Sequence, residues 1–386
     1  MSVWDAIVGQ EPTVALLKQI VASQGHDRDS VAQSWLICGP PGSGRSNLAR
    51  AFAAALVSPD HGLDDQPSRI TQQVLAGTYP DVTVLSTNKV TIGINEVREL
   101  IMTSEQMPST SPWRVIIIED VDRMLERTTN VLLKEIEEPA PHTIWLLCAP
   151  NAQDVLPTIR SRTRVVNLAI PSNTAVAGFL TDQVGVEPPL AAKAARLAQG
   201  HIGIAKLYAT REQVLVDRDD LVVGLLNLHR ASDAVVLAGR VVDAAKDQAT
   251  DTVNEQVKRD EQEFRAINGL TPDERIPRQL LGAYHALSSK DQVRRRVTRL
   301  TRDVLDRNLT TLASVYRDVG VLQNQAEETA GLVNLENRAA IAELSVRLSR
   351  EDAIERLGII SRTRRRLAAN GSTLLDFEAL FCGLLA

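Results

Sequence analysis

The chain has 386 residues, 44% hydrophobic and 24% charged, which suits an ordinary globular protein of two or three domains. A formal net charge of −5 excludes a general nucleic-acid coat, which needs a basic surface, but leaves room for a local basic patch. No run approaches the ~18 consecutive apolar residues of a spanning helix, and the start, MSVWDAIVGQ, lacks a secretory pattern, so a cytoplasmic protein with no membrane partner is expected.

In chain order, residues 35–38 (WLIC) form the first short apolar run and predict a buried strand. A helix is expected over 46–57, and then a polar segment, 59–78, as an inserted loop or subdomain. Further strands are expected at 82–85, 115–118 and 144–148, with a helix at 128–138 that stops before Pro139. This alternation is the βα pattern of a parallel sheet. Beyond about 169–172 the apolar residues recur at helical spacing and strand-like runs disappear. The expected fold is an α/β P-loop domain over 1–168, a small helical lid over 169–209 and an all-α C-terminal domain over 210–386. Residues 246–277 fit a long helix, a helical hairpin or a connection equally well. Cys38, Cys148 and Cys382 each sit among apolar neighbours and are expected to be buried thiols.

The strongest local signal is Gly39-Pro40-Pro41-Gly42-Ser43-Gly44-Arg45-Ser46, placed between a strand and a helix. There, glycines let backbone N–H groups close around phosphate oxygens, and the helix N-terminus adds partial positive charge. Position 45 calls for Lys, and Arg carries its charge on a wider, planar fork. Two readings stay open: Arg45 supports weak ATP or ADP binding, or it fills the site. The apolar run 115–118 ends in Glu119-Asp120, where a Mg²⁺-orienting acidic pair belongs, yet the usual Asp-Glu order is reversed. A displacement of ~1 Å there costs on the order of a hundredfold in rate, so efficient hydrolysis is not expected.

Three segments resemble the clamp-loader group of AAA+ proteins: 114–124 (RVIIIEDVDRM), 130–139 (NVLLKEIEEP) and 156–162 (LPTIRSR). Val8-Gly9-Gln10 is similar to that group's adenine-side element, and the altered P-loop points to its delta-prime branch. The resemblance implies a pentamer with motor subunits and a delta subunit, acting through the complex on a sliding clamp and primed DNA. It also implies that Ser161-Arg162 supplies an arginine finger to a neighbour's ATP site, and that 210–386 is an oligomerisation collar. Four departures from the family pattern stand out. The four-cysteine zinc module is missing from 59–78, so no zinc is expected. Thr163 replaces the Cys that follows the Ser-Arg pair. Ala149-Pro150 replaces the threonine that senses γ-phosphate, and Gly203-Ile204 occupies the place of the second sensor arginine. No cofactor is required on this reading. Lys290, Arg294, Arg295, Arg296, Arg299 and Arg302 make one basic run and residues 362–366 another, read as solvated or intersubunit faces, with contact to DNA as the alternative.

Overall fold

The structure is a computed structural model that describes residues 2–23, 31–64, 66–86, 91–271, 274–369 and 371–385. The chain divides into two compact units, Met1–Arg211 and Glu212–Ala386.

The first unit is built on a five-stranded parallel sheet in the order β2-β3-β4-β1-β5. Its strands are β1 (Ser34–Cys38), β2 (Val82–Leu85), β3 (Arg114–Ile118), β4 (Thr143–Ala149) and β5 (Arg164–Asn167). β1, β3 and β4 are buried along their whole length, which explains why they read as unbroken apolar runs rather than alternating ones. Alternation still sorts their side chains between two faces. Trp35, Ile37, Val115, Ile117, Ile144, Leu146 and Cys148 pack on one side with the Ala-rich helix Arg45–Val57. Leu36, Ile116, Ile118, Trp145 and Leu147 pack on the other with helices Ile94–Ser104 and Glu126–Glu137. After the sheet come helices Asn173–Phe179, Pro188–Ala198 and Ile202–Thr210, with a π-helical turn at Leu180–Val184. An α/β P-loop architecture followed by an all-α region is therefore the fold.

The second unit is helical. Its core gathers Leu221, Leu237, Leu309, Tyr316, Ile341, Phe377 and Phe381 from helices Glu212–Leu226, Ala231–Ile267, Lys290–Gln323, Arg338–Arg347 and Thr373–Gly383. The uncertain stretch from Lys246 continues the long helix to Ile267, and a turn then leads to helix Leu281–Leu287; Pro272 and Asp273 lie outside the described residues. Cys38 and Cys148 are buried as expected, but Cys382 is exposed near the end of the last helix, which corrects the expectation of three buried thiols. Its neighbours Phe381 and Leu380 face the core instead.

Candidate nucleotide site and arginine finger

β1 is an inner strand of the sheet, and the phosphate loop leaves its C-terminal end, where ligands of open α/β sheets bind. The loop is anchored by Gly39 N donating to Ala149 O at 3.2 Å, so the strand position expected to carry a sensor contributes only backbone. Gly42 and Gly44 take φ of +83° and +92°, the left-handed region that favours glycine. Gly44 caps the following helix without a side-chain bond, while Arg45 and Ser46 open it. Ser43 is 2% exposed and its Oγ has no hydrogen-bond partner.

Arg45 does not stand free over the loop. Its Nη1 donates to Gly39 O, and its Nη2 lies 3.5 Å from Asp120 Oδ1, with the side chain 13% exposed. The wide guanidinium thus bridges the loop's first residue and the acidic pair. Asp120 also faces Arg123 at 3.4 Å, and Glu119 pairs with Arg50 at 3.1 Å. Both carboxylates that would orient a metal ion are therefore held by arginines of the same chain. Asp120 itself takes a left-handed conformation, φ 56°, which a short polar side chain tolerates. Beside it, burial raises the pKa of Asp122, aided by the negative charge of Asp120.

The reverse side of the loop is covered as well. His201 packs against Gly42 so closely that a Cβ there would overlap the imidazole. Ile202 N donates to Gly42 O at 3.2 Å, and His201 Nδ1 accepts from Ile204 N at 3.2 Å. Gly203 and Ile204 belong to the helix that this histidine caps, and neither carries a side-chain donor for phosphate. Gln10 makes a reciprocal pair with Ala169, its Nε2 donating to the carbonyl at 2.8 Å and its Oε1 accepting from the amide at 3.1 Å. Sequence reasoning missed His201, Arg50 and Arg123. Arg123, three residues from Asp120, was legible as an i, i+3 partner; the other two depend on tertiary packing.

Ser161 and Arg162 lie in the turn between helix Pro157–Arg160 and β5. Ser161 Oγ donates to Thr158 O at 3.1 Å, and Arg162 Nη1 to the same carbonyl at 3.0 Å. Arg162 Nε lies 2.5 Å from Glu137 Oε1, and both side chains are about two-fifths exposed at 41% and 42%. Arg164 instead lies over the Trp35 ring, 5.0 Å from its centroid. β5 pairs with β1 so that Arg164 matches Trp35. Arg162 is thus at the N-terminal end of the strands and the P-loop at the C-terminal end, ~13 Å further along β1. The same chain's loop is beyond its reach.

A family model described as DNA polymerase III, delta subunit, matches residues 9–172. Over that segment the chain is similar to subunits of the DNA polymerase III clamp loader. Subunit delta' of Pseudomonas aeruginosa is 30% identical over 175 residues, covering 44% of this chain and 53% of that protein. Subunit delta' of Haemophilus influenzae is 31% identical over 156 residues, 39% of this chain and 47% of that protein. The chain thus spans about half the length of these two curated relatives. Subunit gamma/tau of Mycobacterium tuberculosis is 31% identical over 161 residues, covering 41% and 27% respectively. A solved DNA polymerase III gamma subunit-related protein from Thermotoga maritima aligns with 92% of this chain and 99% of its own, at 16% identity and a TM-score of 0.40.

Proposed function

We propose that this chain is a delta-prime-type subunit of a clamp loader, assembling with motor and delta subunits in a pentamer that places a sliding clamp on primed DNA. Its role in ATP hydrolysis is to complete a neighbour's site with Arg162, not to turn over ATP itself. The observation that carries this reading is the split between the two ends of the sheet. At one end, Arg45, Arg50 and Arg123 engage the chain's own acidic pair. At the other, Arg162 is exposed and, among the described residues, held only by Glu137 and local oxygens. A guanidinium so placed can exchange a surface carboxylate for a phosphate, binding it through two N–H groups, and fingers of this kind contribute roughly 10³–10⁵ in rate. A surface ion pair of ~0–1 kcal/mol is weak enough to give up.

The similarity to gamma/tau subunits at equal identity supports a second reading, a motor subunit with altered ATP chemistry. Steady-state ATPase of the purified chain separates the two. Turnover of ~1 s⁻¹ that Arg45→Ala abolishes would establish the motor; its absence, together with stimulation of partner ATPase on assembly, is expected.

A further inference from the structure

The two longest helices of the second unit, Ala231–Ile267 and Lys290–Gln323, outrun their own core. Along the first, burial ends at Val253, and along the second it begins only at Val304. Among the described residues, the end of the first helix, helix Leu281–Leu287 and the start of Lys290–Gln323 form a helical arm. Its first helical strand from residue 254 to Ile267 is ~21 Å long. The arm (254–303) carries eleven Lys or Arg against eight Asp or Glu, a net of +3, while the remainder of the chain carries −8.

The positive charge is concentrated and directed. Between Lys290 and Arg302 six cations face a single acid, Asp291. Val293, Val297 and Leu300 are half-buried on one side of that helix, and Arg296 reaches the first helix of the arm at Asp260, 2.8 Å away. Helical spacing turns Arg295 and Arg302 to one outward face and Lys290 and Arg294 to the face beside it. These four side chains have no carboxylate partner among the described residues.

We propose that this arm is a contact surface for the phosphate backbone of duplex nucleic acid. An acidic protein surface fits less well. The only large exposed apolar side chain of the arm is Ile267, among the described residues, whereas protein interfaces need apolar or aromatic anchors. Single strands fit less well too, because Phe264 and Tyr284 pack against each other at a 58° tilt, with Arg265 over Tyr284, and offer no free platform for bases. A row of cations along ~18 Å of helix suits a polyanion with a charge every ~1.7 Å of axis. Binding is sequence-independent on this account, and it does not depend on assembly with other subunits.

The test is fluorescence anisotropy of the full chain with a labelled 25-base-pair duplex over a salt series. A variant with Lys290→Gln, Arg294→Gln, Arg295→Gln and Arg302→Gln is compared with Arg347→Gln, an exposed arginine outside the arm. The arm variant should lose at least ~10-fold in affinity at low salt, and its log K against log[salt] slope should flatten by about 3.6, near 0.9 for each of the four lost contacts. Circular dichroism and thermal unfolding should be unchanged. Absence of duplex binding by the parent chain, equal loss in Arg347→Gln, or preference for an acidic polypeptide over the duplex would overturn the proposal. Because no partner subunit enters the assay, its failure leaves the arginine-finger reading standing.

Discussion

Arg45 and Asp120 lie 3.5 Å apart, so the arginine that stands where a phosphate loop calls for lysine pairs with one carboxylate of the acidic pair. The altered cation and the reversed acids form one connected arrangement. Restoring Arg45→Lys alone should not restore a hydrolase, because Arg50 still holds Glu119 and Arg123 still faces Asp120. ATPase of that variant is expected to stay at least ~100-fold below the ~1 s⁻¹ at the low end of typical enzymes. Turnover within tenfold of that value would show that position 45 was the only obstacle.

Gly42 should be intolerant of substitution. Gly42→Ala meets both a left-handed φ of +83° and the His201 ring. The backbone conformation alone costs ~1–2 kcal/mol in an L-residue, and the overlap adds to it. Urea unfolding should show a loss of ~2 kcal/mol or more, with His201→Ala in the same chain recovering the steric part.

Asp81 should be a stability residue of the first unit. It is fully buried and accepts from Ser109 N, Thr110 N and Ser111 N at 2.6, 2.8 and 3.1 Å, with Arg114 Nη2 at 3.5 Å. Burial opposes its charge, but these hydrogen bonds prevail and hold its pKa below the usual carboxylate value. A depressed folded pKa gives stability that is present above the unfolded value, ~3.9, and lost as pH falls through the folded one. Asp81→Asn should cost ~2–4 kcal/mol at pH 7, and the gap from the parent chain should narrow below about pH 4.

The thiols should divide one against two. Burial pushes Cys148 up to about 12 and raises Cys38 as well, while Cys382 is exposed. Because the thiolate is the reacting form, a maleimide at pH 7.5 should label one cysteine in the native chain and three after denaturation. Peptide mapping should find the first label at Cys382.

Much of the sheet was legible because β1, β3 and β4 are buried on both faces and read as continuous apolar runs. β5 escaped that reading. Only Val165 and Val166 are apolar among its four residues, and as an edge strand it leaves Arg164 and Asn167 exposed. The P-loop and the acidic pair were legible from local spacing, but their neutralisation was not. Arg50 lies 69 residues from Glu119, and His201 is 159 positions from Gly42, so only the fold brings them together. The exposure of Cys382 turned on helical phase: Phe381 and Leu380 take the core-facing positions beside it.

The most direct test of the account is ATPase of a reconstituted assembly of this chain with the motor and delta subunits proposed as its partners, measured with Arg162→Ala and Glu137→Ala variants. Arg162→Ala should assemble normally and slow hydrolysis at the adjoining motor site by roughly 10³ or more, while Glu137→Ala, which only frees the arginine, should retain activity. Wild-type hydrolysis at that site in an assembled Arg162→Ala complex would contradict the assignment.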